Sequence, residues 1–541
     1  LVPDLCKLET KHIKKIGISP ILKGKIKETF DGDVPCPWFL RYKEYSGDDT
    51  FDRLSDYKRS VANESRFNKS FMKCDVPAIK PPDDDIFWRT AQEYTLRMFH
   101  RLRGSRPVEN FEINEHTSPG KPFTSMGFKT KGELLADPSF GKELRDRFVP
   151  IWSINEKFEF LLKDDVINRD KLRTFFIPDL PFLVHQKILF DDQNKRILNQ
   201  CNDFENFWAR YGFVKQFGGF DDLMKFHEGN GEFDIHLTTD IQGYDRVNAT
   251  LEEVYQQRVY YLDPGKVRDP KEWESYVQYV VDNTTHPYVC HPDGSIYRRM
   301  CGNGSGSNDT TPDNCWSHVM IFFYVLLKLG YAAYERILSY EEILHNARVS
   351  LYGDDNFASL KSKFWFPNGF EVELFKTLVK EAYRDFQMEI KDSQFAVKQG
   401  TVEGLEFLGS TAWFSKKHNM YLPRPRLGKI TTSLSQVLEG KEEQGVVNTI
   451  KAAYDMVAEI EEPDELSVKK SLQDYSHFLL RQEDFMSKIN SADSYYLELI
   501  TTGKLSTKTL IRGHESVGEK FSVDLKRTDK QEHVLLSAIF E

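Results

Sequence analysis

Leu351-Tyr352-Gly353-Asp354-Asp355-Asn356 constrains this chain more than any other stretch. Residues 347–351 mix apolar and β-branched side chains, as a short strand does, and Phe357-Ala358-Ser359-Leu360 reads as the returning strand. Gly353 and the two aspartates supply the turn, since glycine adopts positive φ without steric cost and aspartate tolerates tight turns. Two readings of the tip stand side by side. A solvated acidic turn is the plain one. Divalent metal binding is the sharper one, because a hard cation takes oxygen ligands, usually one or two carboxylates plus substrate phosphates. The motif alone does not decide between them.

Composition bounds the compartment and the partners. The 541 residues are 40% hydrophobic and 29% charged, ample for a large core and too long for a single one, so subdomains are expected. A net charge of -10 and a pI of about 5.9 argue against attraction of nucleic acid by the molecule as a whole. They leave room for a basic channel inside an acidic shell. Seven scattered cysteines with no CxxC pair point to a reducing compartment and away from structural zinc. The longest apolar run, 319–327, is too short to span a bilayer, and no signal-peptide pattern opens the chain. A start on Leu1 rather than Met reads as a processed or trimmed product.

Further chemistry-bearing stretches follow one another along the chain. Residues 86–102 carry helical spacing in Phe87, Ala91, Tyr94 and Met98. Thr117-Ser118-Pro119-Gly120-Lys121-Pro122-Phe123 is dense in Ser, Pro and Gly, which predicts an irregular loop with backbone N–H groups open to anions. A basic ladder comes next: Lys163-Asp164-Asp165, Arg169, Lys171 and Arg173. Lys171, Arg173 and Phe175 alternate as if opening a strand, which would put both cations on one face. The run 233–240 alternates as a half-buried strand ending at Asp240. Asp245 follows after Gly243, placed to N-cap the next helix. Residues 263–299 read as an insertion with a helical piece at 272–281. Gly302 to Asn314 then forms a Gly/Ser loop running into a helix over about 313–329. Thr310 or Thr311 is its expected N-cap and Pro312 lies in its first turn. After the acidic hairpin come an amphipathic helix through Val372, Phe375, Val379 and Ala382, a turn at 387–391, a strand pair in 403–413, and helices from about 430. Each of these has a bland alternative: a surface loop, a charged strand edge, a helix cap or a connector.

The ordered set resembles the RNA-dependent RNA polymerases of positive-strand RNA viruses, in the picornavirus-like group, over residues 117–413. Thr117 to Pro122 is similar to the loop that admits the template (motif G). Lys163-Asp164-Asp165 through Arg173 resembles the basic fingers motif (F). Asp240-Ile241-Gln242-Gly243-Tyr244-Asp245 resembles motif A. Ser305-Gly306, Thr310 and Asn314 fit motif B at its full spacing, and Tyr352-Gly353-Asp354-Asp355 resembles motif C. Gly302-Asn303, Thr310-Thr311 and Asp313-Asn314 resemble astrovirus motif B in particular, whereas Gly243-Tyr244-Asp245 is closer to the picornavirus pattern. Motifs D and E match loosely, near Lys391 and Phe407-Leu408-Gly409.

The resemblance implies an α+β right hand closed by finger contacts, with an antiparallel palm sheet flanked by helices. Fingers would occupy 1–230 and 264–300, palm 231–263 and 301–420, and thumb 421–541. It implies a two-metal nucleotidyl transfer. Asp240, Asp354 and Asp355 would hold Mg²⁺ or Mn²⁺, with the Ile241 carbonyl completing a shell. Arg173, Lys163 and Lys171 would hold the triphosphate. Asp245, Ser305, Thr310 and Asn314, beside Gly306, would read the ribose 2′-hydroxyl. Lys391 would protonate the leaving pyrophosphate. Implied partners are template RNA, the product duplex, ribonucleoside triphosphates, a protein primer and other viral replication proteins. The implied location is host cytoplasm at membrane-associated replication complexes. A reverse transcriptase would place a bulky residue where Asp245 stands and lacks the Ser-Gly-x3-Thr-x3-Asn pattern. A non-catalytic RNA-binding scaffold should have lost Asp240 or Asp354. A P-loop helicase needs GxxxxGK[ST], which is absent.

Overall fold

The computed structural model describes residues 8–505, apart from Asp31, Glu109, Lys266 and residues 438–441. Leu1 and the last stretch of the expected thumb, 506–541, lie outside the described residues.

A four-stranded antiparallel sheet organises the middle of the molecule. Its strands run in the order Ile390–Gln399, Ile235–Ile241, Asp355–Leu360, Ala347–Tyr352. The last two form the acidic hairpin that the sequence predicts. The strand Ile235–Ile241 is not half-buried as its alternation suggested. Every residue in it except Asp240 is buried. Ile235, Leu237 and Ile241 face a helical core, while the opposite face is covered by the helix Gly219–Glu228. There His227 reaches Ser359 at 2.9 Å and Ser350 at 2.9 Å, and His236 reaches Ser359 at 2.7 Å. A strand with both faces covered carries polar residues inside when they find partners, and such polar residues are what hid the second covered face from the period-2 reading.

The helical core centres on Thr310–Tyr334, packed against Ile86–Met98 and Val372–Arg384. This helix is longer at both ends than 313–329. By length and composition alone it is able to cross a membrane, so the short apolar run understated it. In the fold, 83% of its most apolar window is buried inside the protein.

A second sheet holds five strands in the order Lys14–Ile18, Ser295–Arg298, Tyr288–Cys290, Ile151–Glu156, Thr174–Ile177. The 263–299 insertion therefore completes a sheet begun by N-terminal residues, and its helix spans Pro270–Thr285. A third sheet, Glu406–Phe407, Ser410–Ser415 and Met420–Pro425, leads into the helices Leu427–Ser435, Glu443–Val457, Pro463–Leu480 and Ser491–Thr501. Those helices share one core with Trp38, Phe39, Tyr42 and Phe51 from the start of the chain. Core packing also cuts across the division expected at residue 230, since Met98, Phe99, Phe207 and Trp208 pack in the cluster beneath the four-stranded sheet. The six described cysteines are buried and unpaired.

Candidate active site

The hairpin tip is built so that its carboxylates face outward from a fixed backbone. Gly353 has φ +63°, the left-handed region where a side chain is strained, and is itself buried. Asp354 and Asp355 are exposed to a cleft of about 450 Å³ lined also by Phe213, Lys215, Gln216, Tyr352 and Leu408. The neighbouring strand pairs Thr239 with Asn356, and one further step of that register sets Asp240 opposite Asp355. Asp240 is the one exposed residue of its strand and accepts a hydrogen bond from Gln394 Nε2 at 2.8 Å. Gln394 lies on the edge strand within a break in the register between Ile390 and Phe395, and no sequence pattern marks it.

Burial and mutual repulsion set the electrostatics of this cluster. Loss of bulk water pushes Asp354 up to about 6, with Asp245 and Asp240 adding repulsion. Asp355 is pushed up to about 7 for the same reason, with Asp354, Asp240 and Glu406 adding theirs. Asp240 is also raised by burial, against the pull of Lys171 and Arg426. Among the described residues no three His, Cys, Asp or Glu side chains converge into a ready metal cage. An all-oxygen set of exposed, mutually repelling carboxylates still fits a Mg²⁺-type ion, which takes one or two carboxylates and completes its shell with substrate phosphates and water.

A second cluster lies at the start of the long helix. Asn314 Nδ2 donates to Asp245 Oδ1 at 2.6 Å, and Asn303 Nδ2 donates to Asn314 Oδ1 at 3.0 Å. The Asn303 backbone N–H also donates to the Asp245 carbonyl at 2.8 Å, so the loop and the Asp245 turn are tied twice. Burial raises the Asp245 carboxyl, while the Asn314 bond and nearby Arg246 and Arg173 pull it down. Two expected caps are corrected. Gly243, not Asp245, caps the short helix Tyr244–Val247, because its φ of +62° ends the strand turn. Asp309, not Thr310 or Thr311, stands at the N-cap of the long helix. The Thr310 hydroxyl instead donates to the carbonyls of Gly304 at 2.7 Å and Ser307 at 3.0 Å, bracing the loop. Ser305 is exposed on that loop. Gly306 approaches the strand Thr174–Ile177 so closely that a Cβ would sit 2.3 Å from the Phe176 carbonyl oxygen.

The cations divide. Arg173 is half-exposed, 3.4 Å from Glu159, and its charge acts on both Asp245 and Asp354, which places it at the cleft. Lys171 acts on Asp240 while pairing with Asp165 at 2.7 Å. The strand begins only at Thr174, so the expected alternation of Lys171 and Arg173 on one strand does not occur. Lys163 donates to the Ser55 carbonyl at 2.7 Å and opens a short helix. Lys391 is exposed and belongs to the strand Ile390–Gln399, not to a turn. In the Thr117–Phe123 loop the Gly120 N–H donates to Ser118 Oγ at 3.3 Å, while the Gly120 and Pro122 carbonyls accept from Thr124 N at 3.0 Å and Ser125 N at 2.9 Å. Sequence reading also missed Arg246, which donates to Thr174 O at 2.6 Å, and Lys215, which is 2.8 Å from both Leu408 O and Ser410 Oγ.

The family model for viral RNA-dependent RNA polymerase matches residues 39–453. The chain belongs to that family. It is 25% identical over 397 residues to the non-structural polyprotein 1AB of Turkey astrovirus 1, covering 71% of this chain and 23% of that polyprotein. It is also 25% identical over 389 residues to the genome polyprotein of zucchini yellow mosaic virus (strain Singapore), covering 66% and 11%. The polymerase chain thus spans about a quarter or less of the length of these curated relatives. Among solved structures, a Sicinivirus 3Dpol RNA-dependent RNA polymerase superposes with a TM-score of 0.64 at 11% identity, over 91% of this chain and 100% of that one. The fold of this polymerase is therefore that of the viral 3D polymerases, and the astrovirus and picornavirus-like resemblances both hold.

Proposed function

We propose that this polymerase carries out template-directed RNA synthesis for a positive-strand RNA virus, joining ribonucleoside triphosphates to an RNA 3′ end. The observation that carries the reading is one of placement. Asp240 and the Asp354–Asp355 pair meet across adjacent strands, and Asp245 bonded to Asn314 at 2.6 Å stands in the same field. The reaction forms a bond between the primer 3′-oxygen and the α-phosphorus and releases pyrophosphate. Mg²⁺, with Mn²⁺ as a substitute, held by Asp240 and Asp354 beside Asp355 and the Ile241 carbonyl, would neutralise charge on the reacting phosphate. Arg173, aided by Lys171 and Lys163, would bind the triphosphate. Asn314 and Asp245 would recognise the ribose 2′-hydroxyl, with Thr310, Ser305 and Gly306 shaping the loop beside it. Lys391 would supply the proton to pyrophosphate.

In this reading the fingers comprise 1–230 and 264–300, the palm 231–263 and 301–420, and the thumb 421 onward. The shared core of Trp38 and Phe39 with the C-terminal helices supports a closed hand. Template RNA, the product duplex, a protein primer and other viral replication proteins are the partners, at membrane-associated complexes in the host cytoplasm. The test uses purified protein, a homopolymer template with and without primer, ribo- or deoxynucleotides, and each metal in turn. Template-dependent RNA product supports the reading. No product with either metal, or equal use of deoxynucleotides, overturns it.

A further inference from the structure

The acidic hairpin and the Asp240 strand are joined beneath the cleft by groups the proposed chemistry does not use. His318 and Tyr383 are completely buried, and Thr239 and Asn356 nearly so. Gly353 O lies 2.8 Å from His318 Nδ1. A carbonyl can only accept, so Nδ1 carries the hydrogen. The other ring nitrogen, Nε2, is then an acceptor, and the Tyr383 hydroxyl is 2.9 Å from it. Thr239 stands beside Tyr383, close enough for its side chain to act on the phenol. Asn356 Nδ2 donates to Thr239 Oγ1 at 2.5 Å, and Asn356 Oδ1 accepts from the Thr239 backbone at 3.1 Å. Burial pushes the His318 imidazole down to about 4, so it is neutral, as this pattern requires.

Asn356 and Thr239 bond to each other in both directions, Tyr383 donates to His318 and His318 to Gly353, with Thr239 beside Tyr383 joining the two halves. The residues at the ends and middle of this chain are the immediate neighbours of the three carboxylates. Asn356 follows Asp355, Thr239 precedes Asp240, and Gly353 precedes Asp354. Cys315, one helical turn before His318, accepts the Gly353 N–H at 3.2 Å, so the turn peptide is held from both sides by the long helix.

We propose that this buried chain of hydrogen bonds fixes the separation of Asp240 from Asp354 and Asp355, making His318, Tyr383 and Thr239 positioning residues for the metal-binding carboxylates. The inference rests on the reading of those carboxylates as metal ligands. Its physical basis is that an outer hydrogen bond orients a ligand's backbone at little cost once formed, whereas a buried peptide left unpaired relaxes to find another partner. Breaking any link leaves an unpaired donor or acceptor on both sides.

The experiment compares Tyr383→Phe and Thr239→Val, which keep shape and remove one hydroxyl each, with His318→Leu and His318→Asn. Asn can still donate towards Gly353, and Leu cannot. Mn²⁺ binding to RNA-free protein is measured by titration calorimetry, and kcat and nucleotide KM are measured on a primed template. Tyr383→Phe and Thr239→Val are expected to weaken Mn²⁺ binding and kcat by about tenfold, within the range for outer-shell changes at metal sites, with nucleotide KM nearly unchanged. His318→Leu should lose more, and His318→Asn should recover most of that loss. The Tyr383→Phe/His318→Leu double variant should be no worse than His318→Leu, since both cut one chain. Wild-type Mn²⁺ binding and kcat in Tyr383→Phe and Thr239→Val would overturn the proposal even if His318→Leu fails to fold. An inactive wild type that binds Mn²⁺ normally would count against the proposed function instead, and the binding arm would still decide the positioning role.

Discussion

At the scale of single residues, the carboxylates set two expectations. Asp354 and Asp355 titrate near 6 and 7 in the folded chain against an ordinary 3.8. The folded state therefore binds more protons than the unfolded state between those values. Their contribution to stability is complete below about pH 4 and is lost as pH rises through 6 to 7. A divalent cation should offset that loss. Thermal melts at pH 5 and pH 8 should show a Mn²⁺-induced rise in Tm, on the order of a few degrees, that is larger at pH 8. Asp354→Asn should shrink both the pH dependence and the cation response, and should abolish RNA synthesis. An Asp354→Asn protein that keeps near wild-type synthesis with either metal defeats the metal assignment. The sugar side gives a separate expectation. The Asn314 amide is oriented by Asn303 and bonded to Asp245 at 2.6 Å, so it presents a fixed donor. A site built to bond a hydroxyl rejects the analogue lacking it, because its own polar groups are left unpaired. Asn314→Ala should lower kcat/KM for a ribonucleotide far more than for the matched deoxynucleotide, shrinking their ratio about tenfold per ~1.4 kcal/mol of discrimination lost. An unchanged ratio on the same template would sink the sugar-reading role.

At the scale of elements, what the sequence revealed and what it hid have physical reasons. The acidic hairpin was legible because Gly353 and two aspartates between apolar runs admit few other structures. The long helix was legible in its body, and its ends were not. Asp309 at the N-cap is buried and answers Asn194 at 2.6 Å, a long-range partner that local cap patterns do not contain. The strand 235–241 misled because His236 and Thr238 look like a solvent face until Ser359 and the 219–228 helix cover them. Gln394 was invisible, since its contact with Asp240 depends on strand order in the sheet. The loop before the long helix shows how one atom's space governs an element. Gly306 N donates to Phe176 O at 2.8 Å, and a Cβ at Gly306 would stand 2.3 Å from that same oxygen. Gly306→Ala must therefore push the loop away from the strand that follows Arg173. Nucleotide kcat/KM should fall at least about tenfold, the scale expected when positioned groups shift by a fraction of an ångström. Global stability should change little, because the loop is partly exposed. If the kinetics are those of wild type, the loop does not register the nucleotide.

At the scale of the whole molecule, the start of the chain and its C-terminal helices are one packing unit. Trp38 stands edge-on to Phe485 with centroids 4.9 Å apart, Tyr42 lies 4.8 Å from Tyr475, and Phe39 packs edge-on to both Phe51 at 5.4 Å and Tyr475 at 6.0 Å. More than 400 residues of sequence separate Trp38, Phe39 and Tyr42 from Tyr475 and Phe485, so the contact ties the start of the chain to its C-terminal helices. In the proposed closed hand this tie would help enclose RNA away from the reacting atoms, and loosening it should act on how long the enzyme stays on its template. Phe39 is the cleaner choice for a test, since it is 2% exposed and makes no hydrogen bond through its ring. Phe39→Ala should cost about 3–5 kcal/mol locally, as truncation of a buried aromatic does, loosening the closure while the separate core beneath the four-stranded sheet stays packed. With a heparin trap added after one binding event, the variant should make markedly shorter products, while its rate of adding a single nucleotide stays within about twofold of wild type. A fall in single-nucleotide addition as large as the fall in product length would mean that this aromatic cluster holds the site itself in shape, and that this tie is not what keeps the enzyme on its template.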